Sequence, residues 1–393
     1  MTLGPTASFG EVVDRAHIVI CCGTGGVGKT TTAAVLAIEG ARRGRNAVVV
    51  TIDPAKRLAQ ALGLEALSDT AHEIDRGRWD PAGDAAPGGR LSALMLDPKT
   101  TFDSLVTRYA STPEQGERIL ENRFYRNVSG ALGGTQEYMA MEKLHELHED
   151  GGYDLIVIDT PPTRHALDFL DAPARLLRLL DNRIFRLLMM PTRSIVRVAG
   201  VAVQAFLRTI SRVVGTEVID DVVAFFRAFE GMEAGFRDRA AVVQRLIAGP
   251  STAFVLVTSA RREAVEEAAY FAARLQETGL SVAALAVNRV HPSFGAALPE
   301  GLRERVATLA ATPGDPAVAA RLGAAYANLA DFRTVAVQER AEIERVRNGI
   351  ESAATAFVPY LTHDVHDFAA LRQVAAYLFA PVPGTGRRVA SRP

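Results

Sequence analysis

The sequence predicts a doubly wound α/β fold built on a mostly parallel sheet. Apolar runs of strand length recur at 17–22, 47–52, 91–96, 155–158, 254–257 and 282–287, with segments of helical period between them. Such alternation is what successive βαβ units leave in a sequence. Runs such as LIVI and AVVV are apolar at every position, as expected of central strands covered by helices on both faces.

Each stretch follows from that frame. The first run, HIVICC, leads into a glycine-rich loop and then into the helical segment TTAAVLAIEGARR. Residues 73–90, EIDRGRWDPAGDAAPGGR, are rich in Gly, Pro, Asp and Arg without period and read as a surface excursion. More than ninety residues separate the fourth and fifth runs, far beyond one crossover helix, and most carry helical pattern without strand signals. The expected layout is therefore a P-loop domain made of 1–170 and 251–393, interrupted by a helical insert subdomain at 171–250.

The loop carries the strongest chemical signal. Gly23, four residues, then Gly28, Lys29 and Thr30 form the pattern G-x-x-x-x-G-K-[ST] between a strand and a helix, the context that makes the motif a phosphate cradle. Its glycines let the backbone N–H groups of Gly23, Thr24, Gly25, Gly26, Val27 and Gly28 turn toward phosphate oxygens. The helix start at Thr30 and Thr31 adds positive potential. Lys29 is suited to neutralise the β- and γ-phosphates, and the Thr30 hydroxyl to complete a Mg²⁺ shell. The chain has lysine at only four positions, 29, 56, 99 and 143, so a lysine here is not a by-product of composition.

Two further segments end strands on the carboxyl edge, where open α/β sheets bind ligands: TIDPAKRL at 51–58 and DTPPTRHAL at 159–167. Asp159 suits an anchor for Mg²⁺ through water. Asp53 could contact the metal, or orient or deprotonate an attacking water. Asp53 followed by Pro54 also reads as a helix cap, and the two roles are compatible.

Composition narrows the partners. The 393 residues are 48% hydrophobic, with 44 basic and 45 acidic residues and a net charge of −1. No global field recruits nucleic acid or an anionic membrane. The first residues, MTLGPTASFGEVVDRA, lack the pattern of a secretory signal, and no uncharged apolar run reaches the about 18 residues of a membrane span. A cytoplasmic protein without an integral membrane segment is the expectation. The two cysteines, Cys21 and Cys22, are neighbours on a strand and point to opposite faces, which rules out a disulfide framework or a Cys-pair metal site.

GTGGVGKTTTA, TIDPAKRLAQALG, VIDTPPTRHALDFL and LAVNRV, in that order and spacing, resemble the ArsA-type ATPases, which include arsenical-pump subunits and the ATPases that target tail-anchored membrane proteins. The resemblance runs from about residue 16 to VPYLTHDVHDFAALRQVAAYL. It implies a deviant Walker A loop at 23–30, a switch I at 53–58 in which Asp53 poises the hydrolytic water, and a switch II at 159–167. It also implies that Asn288 hydrogen-bonds adenine; read from sequence alone, Asn288 is a turn residue after a strand. The chain departs from the family in three ways. The loop lysine usual at the second position is Thr24, a glycine usual in switch II is Arg164, and the cysteines of the zinc clip and of arsenite binding are missing. Arsenite transport is therefore disfavoured. HDVHD at 363–367 reads better as a helix-capping loop ending at Asp367 than as a metal site.

The expectation is thus a Mg²⁺-dependent ATPase, with a non-hydrolysing ATP-binding scaffold as the alternative. Its nucleotide cycle would move the helical insert. Within the insert, TRSIVRVAGVAVQAFLRTISRVV at 192–214 places Arg193, Arg197, Gln204, Arg208 and Arg212 on one stripe of a largely apolar helix. Core packing, a membrane surface and a groove for a hydrophobic helix client all fit that pattern. Thr24 adds one expectation about assembly. In the family the lysine at that position reaches the opposite nucleotide across a dimer. A chain without it would pair in a heterodimer with a paralogous ATPase that carries it, a homodimer being the other arrangement.

Overall fold

A computed structural model describes residues 2–52, 57–128, 135–160, 175, 178, 221, 222, 224, 225, 227, 228, 231–292, 299–311, 315–350 and 353–380. Asp53, Lys56, most of both switch segments with Arg164, and the helix read at 192–214 lie outside these residues.

Among the described residues, eight strands form one sheet: β1 (Ile18–Cys22), β2 (Asn46–Thr51), β3 (His72–Glu73), β4 (Arg90–Met95), β5 (Leu155–Asp159), β6 (Thr252–Ser259), β7 (Val282–Val290) and β8 (Ala354–Pro359). Their order is β3-β4-β2-β5-β1-β6-β7-β8. Every pairing is parallel except β3 with β4, so the doubly wound parallel class holds. The six expected runs are β1, β2, β4, β5, β6 and β7. The strands β3 and β8 are additional, one on each edge.

β1 lies between β5 and β6 at the centre, paired through Cys21 with Asp159 and with Val255. Alternate residues feed two cores, one on each face of the sheet. Ile18, Ile20 and Cys22 belong to one, Val19 and Cys21 to the other, so the adjacent cysteines do face opposite ways. Both are free thiols. Burial raises their pKa values, that of Cys22 to about 12, which removes thiolate chemistry from the range of this protein.

On the Cys21 face pack α1 (Phe9–Arg15), α2 (Lys29–Arg42), α3 (Arg57–Ala61) and the short α4 (Arg76–Trp79). Trp79, 1% exposed, pins the 73–90 excursion into that core, so this stretch is anchored to the body. On the Cys22 face pack α5 (Pro98–Tyr109), α6 (Pro113–Glu121), α8 (Thr135–Glu149), α9 (Glu233–Ile247) and α10 (Arg262–Glu277), with α7 (Arg123–Val128) following α6. Phe236, Ala240 and Val243 of α9 share the core of Ile18 and Ile20. The described end of the 171–250 span therefore packs on the sheet.

α11 (Pro299–Ala311) pairs with α12 (Pro316–Gly349), a helix of 34 residues. Asp315 caps it, its side chain accepting the Ala317 N–H at 2.8 Å, with Pro316 in the first turn, as that position favours. α13 (Phe368–Leu378) closes the Cys21 face. Asp367 caps it through the Ala370 N–H at 2.7 Å, the arrangement expected of HDVHD. No described helix is long and apolar enough to cross a membrane.

Candidate functional site

The loop follows β1 directly. At Gly23 φ is 153°, and a Cβ there would sit 2.0 Å from the backbone oxygen of Val257 on β6, so only glycine lets the chain turn this close to its neighbour. Gly28 precedes α2 at φ 96°, and a Cβ would meet the Asn288 amide nitrogen at 2.5 Å. Between them Gly25 and Gly26 are exposed while Val27 is buried, fixing the loop at its base and leaving its bend open. The first turn of α2 points its N–H groups at this bend, the arrangement by which helix starts attract anions.

Four polar side chains converge here. Lys29 is 6% exposed, and its Nζ donates to the Thr24 carbonyl at 2.7 Å. The Thr30 hydroxyl donates to Asp159 Oδ2 at 2.7 Å, and the Thr51 hydroxyl donates to the same oxygen at 3.0 Å. Asp159 is the last residue of β5 and is 1% exposed. Three elements thus bring hard oxygen donors to one point at the carboxyl edge, donors of the type Mg²⁺ takes.

Asn288 approaches from β7. Its Nδ2 donates to the Val27 carbonyl at 2.8 Å, so it clamps the loop, and its buried Oδ1 has no hydrogen-bond partner among the described residues. An amide with its donor used and its acceptor open is set to receive an N–H. A cavity of about 340 Å³ lies over the loop, with Gly28, Lys29, Thr31, Thr160, Arg289 and His366 among its lining residues. A second, of about 430 Å³, is lined on the loop by Thr24, Gly25, Gly26 and Val27. Among the described residues, no group of three or more His, Cys, Asp or Glu is placed to hold a metal ion.

The structure thus gathers Gly23 to Thr31, Asp159 and Asn288 at one edge, while Asp53 lies outside the described residues. Sequence reasoning missed Thr51, Thr160, Arg289 and His366. Thr51 carried a signal, a hydroxyl ending an apolar strand on the ligand edge. His366 stood in a stretch weighed as a helix cap against a metal site and read as the cap, which the family resemblance alone placed near the nucleotide.

Comparison with known proteins covers this same region. The family model described as Anion-transporting ATPase matches residues 16–297, a span that includes the loop, Asp159 and Asn288. The chain is similar to ATPase GET3 of Malassezia globosa, with 30% identity over 174 residues, 44% of this chain and 47% of that protein. It is likewise similar to ATPase get3 of Neurospora crassa, with 30% identity over 158 residues, 40% and 43% of the two chains. The chain matches less than half the length of each of these relatives.

Proposed function

The chain belongs to the Anion-transporting ATPase family, whose model covers residues 16–297, and on that premise we propose that it binds ATP with Mg²⁺ at loop 23–30 and hydrolyses it to ADP and phosphate. The observation that carries this reading is the Thr30–Asp159–Thr51 oxygen cluster beside the loop. Thr30, with Asp159 through water, would hold Mg²⁺, which supplies charge neutralisation at the β- and γ-phosphates.

The chain's own residues divide the remaining work. Backbone N–H groups of the loop and of Thr31 bind phosphate oxygens. Lys29 exchanges the Thr24 carbonyl for phosphate and neutralises it. The open Oδ1 of Asn288 accepts from the exocyclic amine of adenine while its Nδ2 keeps the loop in place. Asp53 orients a water for in-line attack on the γ-phosphate. It directly follows Ile52, whose N–H donates to the Asp159 carbonyl at 3.3 Å. Thus 1–170 and 251–393 form the ATPase unit and 171–250 the responding helical part, with 192–214 offered to a hydrophobic helix client in the cytoplasm. Pairing with a paralogue that carries the loop lysine completes the assembly. Both cysteines are buried, so arsenite is left out of the proposal.

A second reading, an ATP-binding scaffold without turnover, is favoured by one observation, the neutral Thr24. The two separate on phosphate release by the purified chain with ATP, in Mg²⁺ and in excess chelator, with Lys29→Ala as the blank. Magnesium-dependent turnover above the blank supports the ATPase. Tight ATP binding without turnover, alone and with a paralogue, supports the scaffold.

A further inference from the structure

Arg289 is the only described non-glycine residue with positive φ, at 58°. It is the penultimate residue of β7, where pairing with β8 shifts register between Asn288 and Val290. The strand is buried on both sides of it and exposed only there. Bulges are uncommon in parallel pairs and are a device for re-aiming a side chain. Both flanking residues are fixed. Asn288 donates to the Val27 carbonyl at 2.8 Å, and the Val290 carbonyl accepts the Tyr360 N–H at 3.1 Å. The strain therefore falls on the residue between them, whose side chain is turned out of the sheet.

That residue shares two cavities with the loop. Arg289 and Gly26, at the exposed bend, both line each of the two cavities that flank the loop. Acids stand close by, with Glu263, Glu267 and Glu339 on the outer cavity. Even so, the Arg289 side chain has no hydrogen bond or ion pair among the described residues. Glu339 is committed to His291, accepting from its backbone N–H at 2.8 Å and lying 2.7 Å from its Nδ1. An unpaired guanidinium held in a strained backbone conformation at the lip of a phosphate-type loop calls for an anionic ligand.

We propose that Arg289 binds the phosphate chain of the nucleotide, supplying from within the same chain positive charge that the loop lacks at Thr24. The assignment rests on the nucleotide reading above. A planar fork of N–H donors matches phosphate oxygens in pairs, whereas Lys29, at the start of α2, contributes a point charge.

The test is titration calorimetry of ATP with wild type, Arg289→Ala, Arg289→Gly, Arg289→Lys and Lys29→Ala, alongside thermal melts without nucleotide. Arg289→Ala and Arg289→Gly should each weaken ATP at least tenfold, and Arg289→Lys should keep part of the affinity. Arg289→Gly should melt no lower than wild type, because glycine adopts this φ without strain. ATP affinity within twofold of wild type for both Ala and Gly variants would overturn the assignment. A parallel loss of affinity and melting temperature in Arg289→Gly would overturn it as well, by making the role structural. Loss of binding in Lys29→Ala with Arg289→Ala intact sinks only Arg289, while a wild type that binds no better than Lys29→Ala sinks the nucleotide reading itself.

Discussion

Lys29 Nζ donates to the carbonyl oxygen of Thr24 at 2.7 Å across the bend of its own loop. On the proposed ATP-binding reading, phosphate would take over from the Thr24 carbonyl the position it now holds against the lysine. Binding and chemistry are separable on this arrangement. Lys29→Ala should abolish ATP binding, because no other lysine lies in the loop. Asp53→Asn should keep binding and slow turnover by about 10²–10⁴-fold, the usual scale for losing a positioned base. Calorimetry and phosphate release on the two variants check this, and wild-type turnover by Asp53→Asn would remove Asp53 from its role.

Gly28 and Asn288 constrain each other, since a Cβ on Gly28 would lie 2.5 Å from Asn288 Nδ2 at a backbone φ of 96°. Gly28→Ala therefore incurs two costs, backbone strain of about 1–3 kcal/mol and a collision. Asn288→Ala removes the collision but strips the Val27 carbonyl of its donor, itself about 1–3 kcal/mol. The double variant should be more stable than the sum of the single losses, by at least about 1 kcal/mol, the signature of residues in contact. Urea denaturation of the four proteins measures the coupling, and strict additivity would show that the loop relaxes away from the amide.

The parts of this site legible in the sequence are those whose chemistry is contiguous. Gly23, Lys29 and Thr30 announce themselves because one loop holds all three, and β1, β2 and β5 because their burial on both faces leaves uninterrupted apolar runs. β8 escaped notice because an edge strand buries only alternate residues, Ala354, Ala356 and Val358, and its run is broken by a threonine and closed by Pro359. Arg289 and His366 come from separate strands and loops, and only the order β1-β6-β7-β8 brings them toward the phosphate loop. The same holds for Arg239 and Glu142, 6% and 1% exposed. They form an ion pair between α9 and α8, and nothing in their local pattern signals it.

His17 sets a pH dependence. Its ring packs against His148 at 4.9 Å between centroids. Burial first, then the neighbouring His148 and Arg45, hold its pKa below the ordinary value of 6.5. The folded chain thus keeps His17 neutral where the unfolded chain protonates it. Its contribution is complete above about pH 6.5 and is lost as pH falls toward the depressed folded value. His145, lowered by burial and Arg239, acts in the same sense. Glu142, raised by burial, acts in the opposite sense. Comparing wild type with His17→Gln isolates the first of these. The wild-type melting temperature should fall more than that of His17→Gln between pH 7.5 and pH 5.5, and parallel curves would show that His17 does not report on folding.

Thr24 carries the prediction about assembly. It is half-buried at the start of the loop, where ArsA-type relatives place a lysine that reaches the opposite nucleotide. A hydroxyl has neither the charge nor the reach to act across an interface, so two copies of this chain would lack both trans lysines. A paralogue with lysine there can still supply one to the nucleotide held by Lys29, a charge delivered in trans of the kind that raises phosphoryl-transfer rates by about 10³–10⁵-fold. Arg289 in cis offsets ground-state binding without replacing that contribution, because it approaches from β7 of the same chain. Turnover should therefore be low for the purified chain and rise at least tenfold on adding the paralogue. It should fall back when the paralogue's loop lysine is changed to alanine, with ATP affinity little altered throughout. Full turnover by the isolated chain, unchanged by the paralogue, would instead make Thr24 a neutral loop residue and leave the in-cis arginine sufficient for the whole reaction.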